Sequence, residues 1–180
     1  MDSKRLIKTF EQVNWKDVQE FIQKLNQMTG KSYRLPTAAE WQYAASVSGD
    51  PNAEIRTKWS GTDMESELGK FAWFKDNSQN TTNPVGTKQP NALGLYDMTG
   101  NVWEMCVDSA VNKKEGNVNN DNPSSGPSFF ICGGGFSSGP DNLYVINRSK
   151  YMPEDKLFNL GFRLALTSNI AGKRVKESES

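Results

Sequence analysis

Pro90-Asn-Ala-Leu-Gly-Leu-Tyr-Asp-Met-Thr-Gly-Asn-Val-Trp-Glu104 decides how this chain folds. Pro90-Asn91 opens it as a turn, and Gly100 lets the backbone wrap tightly where a side chain would resist. Two carboxylates, Asp97 and Glu104, bracket that glycine. Val102-Trp103 and Met105 to Val107 then read as a strand. Trp103, like Trp41 and Trp73, belongs more naturally to a core than to a ligand platform.

Upstream, a helix is expected from about Asn14 to Met28. Asn14 can cap it, and Asp17 three residues on can return the bond as a capping box. Trp15, Val18, Phe21, Ile22, Leu25 and Met28 recur at three- and four-residue spacing, so one face should be buried, and Gly30 supplies the stop. A second, shorter helix starts at Thr37, where Thr37-Ala-Ala-Glu40 is again a capping box, and carries Trp41, Ala44 and Ala45 inward. Beyond it Gly, Asn, Pro, Ser and Asp punctuate brief apolar runs. Further strands are expected at Phe71 to Phe74, Phe129 to Cys132, Tyr144 to Ile146 and Gly161 to Leu166. Residues 112–128 read as a long surface loop. One domain is expected over residues 1–166, with 167–180 a disordered polar tail. The fold class is α+β with much irregular structure.

The composition removes several chemistries. Of 180 residues none is histidine, so the commonest general base and metal ligand is missing. Lys+Arg and Asp+Glu both number 21, and this balance gives no electrostatic case for nucleic acid or an anionic membrane. No stretch approaches the roughly 18 apolar residues of a membrane span. The start, Met1-Asp-Ser-Lys-Arg-Leu-Ile-Lys8, has no signal-peptide core, but a removed leader would leave the same picture, so the compartment stays open. Cys106 and Cys132 have no CxxC spacing; they can pair, or stay as buried thiols on neighbouring strands.

Four segments in fixed order resemble the formylglycine-generating-enzyme (sulfatase-modifying factor) family: Tyr33 to Ala45 with Arg34-Leu-Pro-Thr37, Asn83-Pro-Val-Gly86, Pro90 to Glu104, and Gly161-Phe-Arg-Leu-Ala165. The likeness runs from about residue 10 to 166. It implies the C-type-lectin-like fold, with two helices on small, twisted antiparallel sheets and long loops. It also implies a structural Ca²⁺ in the loop, held by the Asp97 and Glu104 carboxylates and the carbonyl oxygens of Gly100 and Val102. Hard anionic oxygens suit that ion. The alternative is that these carboxylates bond loop amides or Arg163, whose guanidinium in turn needs buried carbonyls or a carboxylate. The family's other calcium site has no match around Trp73 to Asn83. Family domains usually carry another strand and loop before the first helix, so a homo-oligomer or a partner could complete that edge.

Catalytic members bind copper through two cysteines five residues apart. Here Ser138 and Leu143 fall at those positions, and no cysteine follows Cys132, so copper is not expected. A related iron branch needs histidines. A serine nucleophile would lack a base. The resemblance extends to the variable proteins of diversity-generating retroelements, in which a segment between a Gly-Gly-aromatic start and a Gly-Phe-Arg end is diversified for binding. Gly134-Gly-Phe136 and Gly161-Phe-Arg163 frame such a segment here. Within it Ser137, Ser138, Asp141, Asn142, Tyr144, Asn147, Lys150, Tyr151, Asp155 and Phe158 suit an adaptable binding surface for a protein or small-molecule ligand. A structural subunit of a larger complex is the competing expectation, and a residual copper oxidase the third.

Overall fold

The computed structural model describes residues 12–48, 56–109 and 128–167. The loop expected at 112–128 and the tail expected at 167–180 thus lie, apart from Ser128 and Thr167, outside the described residues, as does the N-terminal edge.

Local hydrogen bonding sets both long helices. Helix α1, Trp15–Thr29, is capped by the Asn14–Asp17 box and stops at Gly30, which takes the left-handed conformation at φ 66°. Helix α2, Ala38–Ser46, is capped by the Thr37–Glu40 box. Glu40 also pairs with Arg34 through two bonds of 2.6 Å. A third, short helix α3 spans Leu68–Phe71. Val18 and Ile22 are the buried positions of α1, whereas Met28 is 84 % exposed and Phe21 half-exposed. The buried stripe is therefore narrower than its apolar periodicity predicts.

Strands β1 (Tyr33–Arg34) and β6 (Ala165–Leu166) pair antiparallel as one small sheet. The main sheet runs in the order β4 (Arg148–Tyr151), β3 (Phe129–Cys132), β2 (Trp103–Ser109), β5 (Leu160–Gly161). β3 pairs antiparallel with both neighbours, with Glu104 opposite Cys132 and Cys132 opposite Arg148. The β2–β5 pair is parallel, an exception to the antiparallel expectation.

Alternation along β2 and β3 divides the core between the two helices. Met105 and Ile131 pack with Val18 and Ile22 of α1, together with Leu35, Tyr151 and Leu160. Cys106 and Cys132 pack with Ala38, Trp41 and Ala45 of α2, plus Met98 and Val145. A third cluster gathers Trp59, Leu68, Ala72, Phe74 and Leu143. The two sulfurs are 3.8 Å apart, without a disulfide, and fully buried, so they stand as neighbouring thiols.

Three strand expectations need correction. Phe71 closes α3, and Phe74 opens a turn in which its amide donates to Asn77 Oδ1. Tyr144 to Ile146 is not a strand; it follows a 3₁₀ turn at Pro140–Leu143, and Ile146 is 73 % exposed. Gly161 to Leu166 splits between β5 and β6.

Candidate functional site

The 97–104 loop is built by three residues in the left-handed region, Asp97 (φ 54°), Gly100 (φ 81°) and Asn101 (φ 63°). Gly100 is obligatory there because a Cβ would run into the Trp73 carbonyl oxygen. That same oxygen accepts the Asn101 amide at 2.7 Å, and the Gly100 amide donates to the Gly133 carbonyl at 2.9 Å. The loop is thereby clamped between the 73 segment and the end of β3.

Glu104, buried at the start of β2, meets three donors. Arg163 grips it with two bonds, Nε to Oε2 at 2.5 Å and Nη2 to Oε1 at 2.7 Å, and the Trp41 indole donates to Oε2 at 2.6 Å. Arg163 Nη2 also donates to the Tyr96 carbonyl at 3.1 Å. A planar guanidinium matched to a carboxylate makes a strong, geometrically specific pair. Asp97 differs. Its Oδ2 accepts the Gly86 amide at 2.7 Å, while Oδ1 is buried with no hydrogen-bond partner. Burial pushes the Asp97 carboxyl above the usual carboxylate range, and the Gly86 amide opposes that only in part.

This arrangement does not fit the calcium expected from Asp97, Gly100, Val102 and Glu104. Calcium takes six to eight oxygens. Here both Glu104 oxygens are engaged and a guanidinium stands against them, which leaves Asp97 Oδ1 as the free carboxylate oxygen of the set. Among the described residues no group of three or more histidine, cysteine, aspartate or glutamate side chains could hold a metal ion. Arg163 satisfies the carboxylate, the alternative open from sequence.

The segment 136–160 joins several of the expected surface residues. Tyr144 donates its phenol to Asp141 Oδ1 at 2.5 Å, and Asn147 Nδ2 donates to the Asp141 carbonyl at 2.6 Å. The Lys58 ammonium lies 4.5 Å from the Tyr144 ring centroid and 4.4 Å from that of Trp59. Lys58 and Trp59 were not legible as site residues, because only tertiary contact brings them to this surface. Ser137, Asn142 and Lys150 are exposed, and Phe158 is exposed with its ring 5.8 Å from Phe136. Asp155 is half-buried, and its carboxylate accepts the Met152 amide at 3.1 Å. Tyr151 is a correction: at 3 % exposure it belongs to the core beneath α1, where its phenol has no partner. Ser138 closes a turn, its Oγ accepting the Gly135 amide at 3.0 Å.

The model of the sulfatase-modifying factor enzyme 1-like domain matches residues 8–168. The chain belongs to that family. The formylglycine-generating enzyme of Streptomyces coelicolor is 29 % identical over 177 residues, 92 % of this chain and 54 % of that enzyme. The chaperone protein LppX of Paenibacillus barcinonensis is 42 % identical over a shorter 85 residues, covering 41 % of this chain and 30 % of LppX. Among solved structures, Treponema denticola variable protein 1 superposes with a TM-score of 0.73 at 29 % identity, covering 87 % of this chain and 70 % of that one. The chain thus spans about half the length of the Streptomyces enzyme.

Within a sulfatase-modifying factor domain, the segment after Gly135 acquires its meaning. Of the two positions that direct counting along the sequence expects at the family's cysteine pair, Ser138 accepts a backbone amide, and Leu143 is a fully buried member of the third core cluster.

Proposed function

We propose that this domain is a non-catalytic binding module on a formylglycine-generating-enzyme-like scaffold, recognising a protein or small molecule through the exposed part of segment 136–160 in the manner of a diversified variable protein. The observation that carries it is that no cysteine follows Cys132, with Ser138 and Leu143 falling by count at the pair's positions. A side chain inside the core cannot reach a substrate, and a hydroxyl closing its own turn is a poor metal ligand. The surrounding surface offers a tyrosine, small polar groups and a lysine stacked on aromatic rings, which combine rigid apolar area with adaptable hydrogen bonding. Likeness to Treponema denticola variable protein 1 supports this reading. Likeness to formylglycine-generating enzymes makes oxidation of a substrate cysteine the reading to test against it.

Two measurements test the proposal. A cysteine peptide incubated with the copper-loaded domain is expected to yield no formylglycine by mass spectrometry; turnover above a copper-only control overturns it. Coding sequences compared across isolates should concentrate replacements at the codons for Ser137, Asp141, Asn142, Tyr144, Asn147, Lys150 and Phe158. A neighbouring near-copy of this segment that differs at adenines is expected beside a reverse-transcriptase gene. Replacements spread evenly over the chain, with no such copy, remove the diversification part.

A further inference from the structure

A second recessed site lies apart from that segment. Phe21 of helix α1, the 85–97 stretch, residues 101–104 and the residues between β5 and β6 line an open recess of about 540 Å³, and none of its walls comes from 136–160. Its volume falls within the range of small-molecule pockets, about 300–1,000 Å³. Phe21, Val85, Leu95, Phe162 and Leu164 make the walls largely apolar. Its charged lining is Asp97, Glu104 and Arg163, one cation against two carboxylates, so the cavity carries one net negative charge.

That charge has a definite place. Arg163 is committed to Glu104 and the Tyr96 carbonyl. Lys88, the other cation near Asp97, donates to the Gly69 carbonyl at 2.5 Å and sits 3.8 Å from the Trp73 ring centroid. Asp97 is left with an oxygen that no protein donor satisfies. That oxygen, Oδ1, is closed to the cavity; the Asp97 oxygen a ligand meets is Oδ2, which accepts the Gly86 amide and keeps the capacity for a second, charged donor.

We propose that this cavity binds a small organic ammonium whose apolar body lies against Phe21 and Phe162 and whose ammonium donates to Asp97. An anion is disfavoured by the net charge. A neutral donor fills the apolar space but leaves the carboxylate without a counter-charge. The site makes no use of the Ser138 and Leu143 positions, so it stands or falls independently of the binding surface proposed above.

The test is isothermal titration of the whole chain with three probes that share a phenylethyl body: 2-phenylethylammonium, its isostere 2-phenylethanol, and the anion 3-phenylpropanoate. The ammonium is expected to bind saturably, at least about tenfold more tightly than the alcohol, with no detectable carboxylate binding. Asp97→Asn should reduce ammonium affinity by about tenfold or more and leave the alcohol unchanged. Asparagine is among the residues that best tolerate the left-handed φ of Asp97, so this variant keeps the backbone. Val85→Trp, at an exposed rim position, should block ammonium and alcohol alike and serves if Asp97→Asn is unstable. Equal affinity for ammonium and alcohol, no saturation by any probe, or ammonium binding undiminished by Val85→Trp overturns the proposal.

Discussion

Glu104→Gln isolates the interaction that closes the fold. The substitution keeps shape and leaves the Trp41 indole an acceptor, but it removes the charge that Arg163 grips at 2.5 and 2.7 Å. Breaking a fully buried pair costs about 3–5 kcal/mol, chiefly because the surviving charge is stranded. The Arg163 side chain keeps 24 % of its accessible surface and Glu104 8 %, so water recovers part of that loss and about 3 kcal/mol is expected. For a domain of this size each kcal/mol moves Tm by about 2–4 °C, so the melting temperature should fall by about 6–12 °C. Urea unfolding followed by tryptophan fluorescence should give the same loss with an unchanged m-value. Arg163→Met in the Glu104→Gln background should cost less than the two single losses added, by at least about 1.5 kcal/mol. About 1 mM Ca²⁺ should leave the wild-type Tm unchanged, because the Arg163 guanidinium stands against both Glu104 oxygens. A Glu104→Gln loss below about 1 kcal/mol, strict additivity, or a clear calcium-induced rise would refute the reasoning.

Glycine substitutions separate conformational strain from collision. Gly94→Ala (φ 75°, open space around a Cβ) should cost about 1–2 kcal/mol in urea titration, whereas Gly100→Ala (φ 81°, against the Trp73 carbonyl) should cost about 3 kcal/mol or more. Glu40 has its carboxyl pulled down from 4.5 to about 2, first by Arg34 and then by the Thr37 amide. Its folded value lies below the unfolded one, so its contribution is complete above about pH 4.5 and is lost as pH falls toward 2; both side chains are more than a third exposed, which caps it at about 1 kcal/mol, and Glu40→Gln should flatten that part of the stability–pH curve. Cys106 and Cys132, both fully buried, should be silent to Ellman's reagent in the native state and titrate as two thiols in denaturant; fast native reaction would contradict their packing.

The parts of the fold that were legible are those set by neighbours along the chain. Asn14–Asp17, Thr37–Glu40 and Gly30 announce helix ends because their bonds span three or four residues. β4 gave no signal: Arg148, Ser149 and Lys150 are all exposed, so this edge strand lacks an apolar alternation. The opposite error occurred at Tyr144 to Ile146, where an apolar run looked like a strand but only Val145 is buried. The parallel β2–β5 pair joins residues 57 positions apart, Trp103 with Leu160, and local pattern carries no trace of it. At the site, the left-handed turn at Gly100 was visible. Arg163 was open as a partner of the two carboxylates, but that it takes Glu104, 59 residues away, rather than Asp97 is decided by the tertiary fold.

Segment 136–160 separates packing from exposure in a way that bears on its proposed role. Phe136, Leu143, Val145, Tyr151 and Leu160 are its buried anchors, and the last four reach all three core clusters. Between them Ser137, Asn142 and Lys150 point to solvent. Surface changes away from special contacts usually stay within about 0.5 kcal/mol, while truncating a buried leucine to alanine costs about 2–5 kcal/mol. A triple alanine variant at Ser137, Asn142 and Lys150 should therefore unfold within about 1 kcal/mol of wild type, and Leu143→Ala alone should lose at least 2 kcal/mol. Only that contrast permits a surface to be rewritten while its scaffold stays fixed. If the triple variant is as damaging as Leu143→Ala, the exposed residues are part of the framework, and a diversified binding role for this segment loses its physical basis.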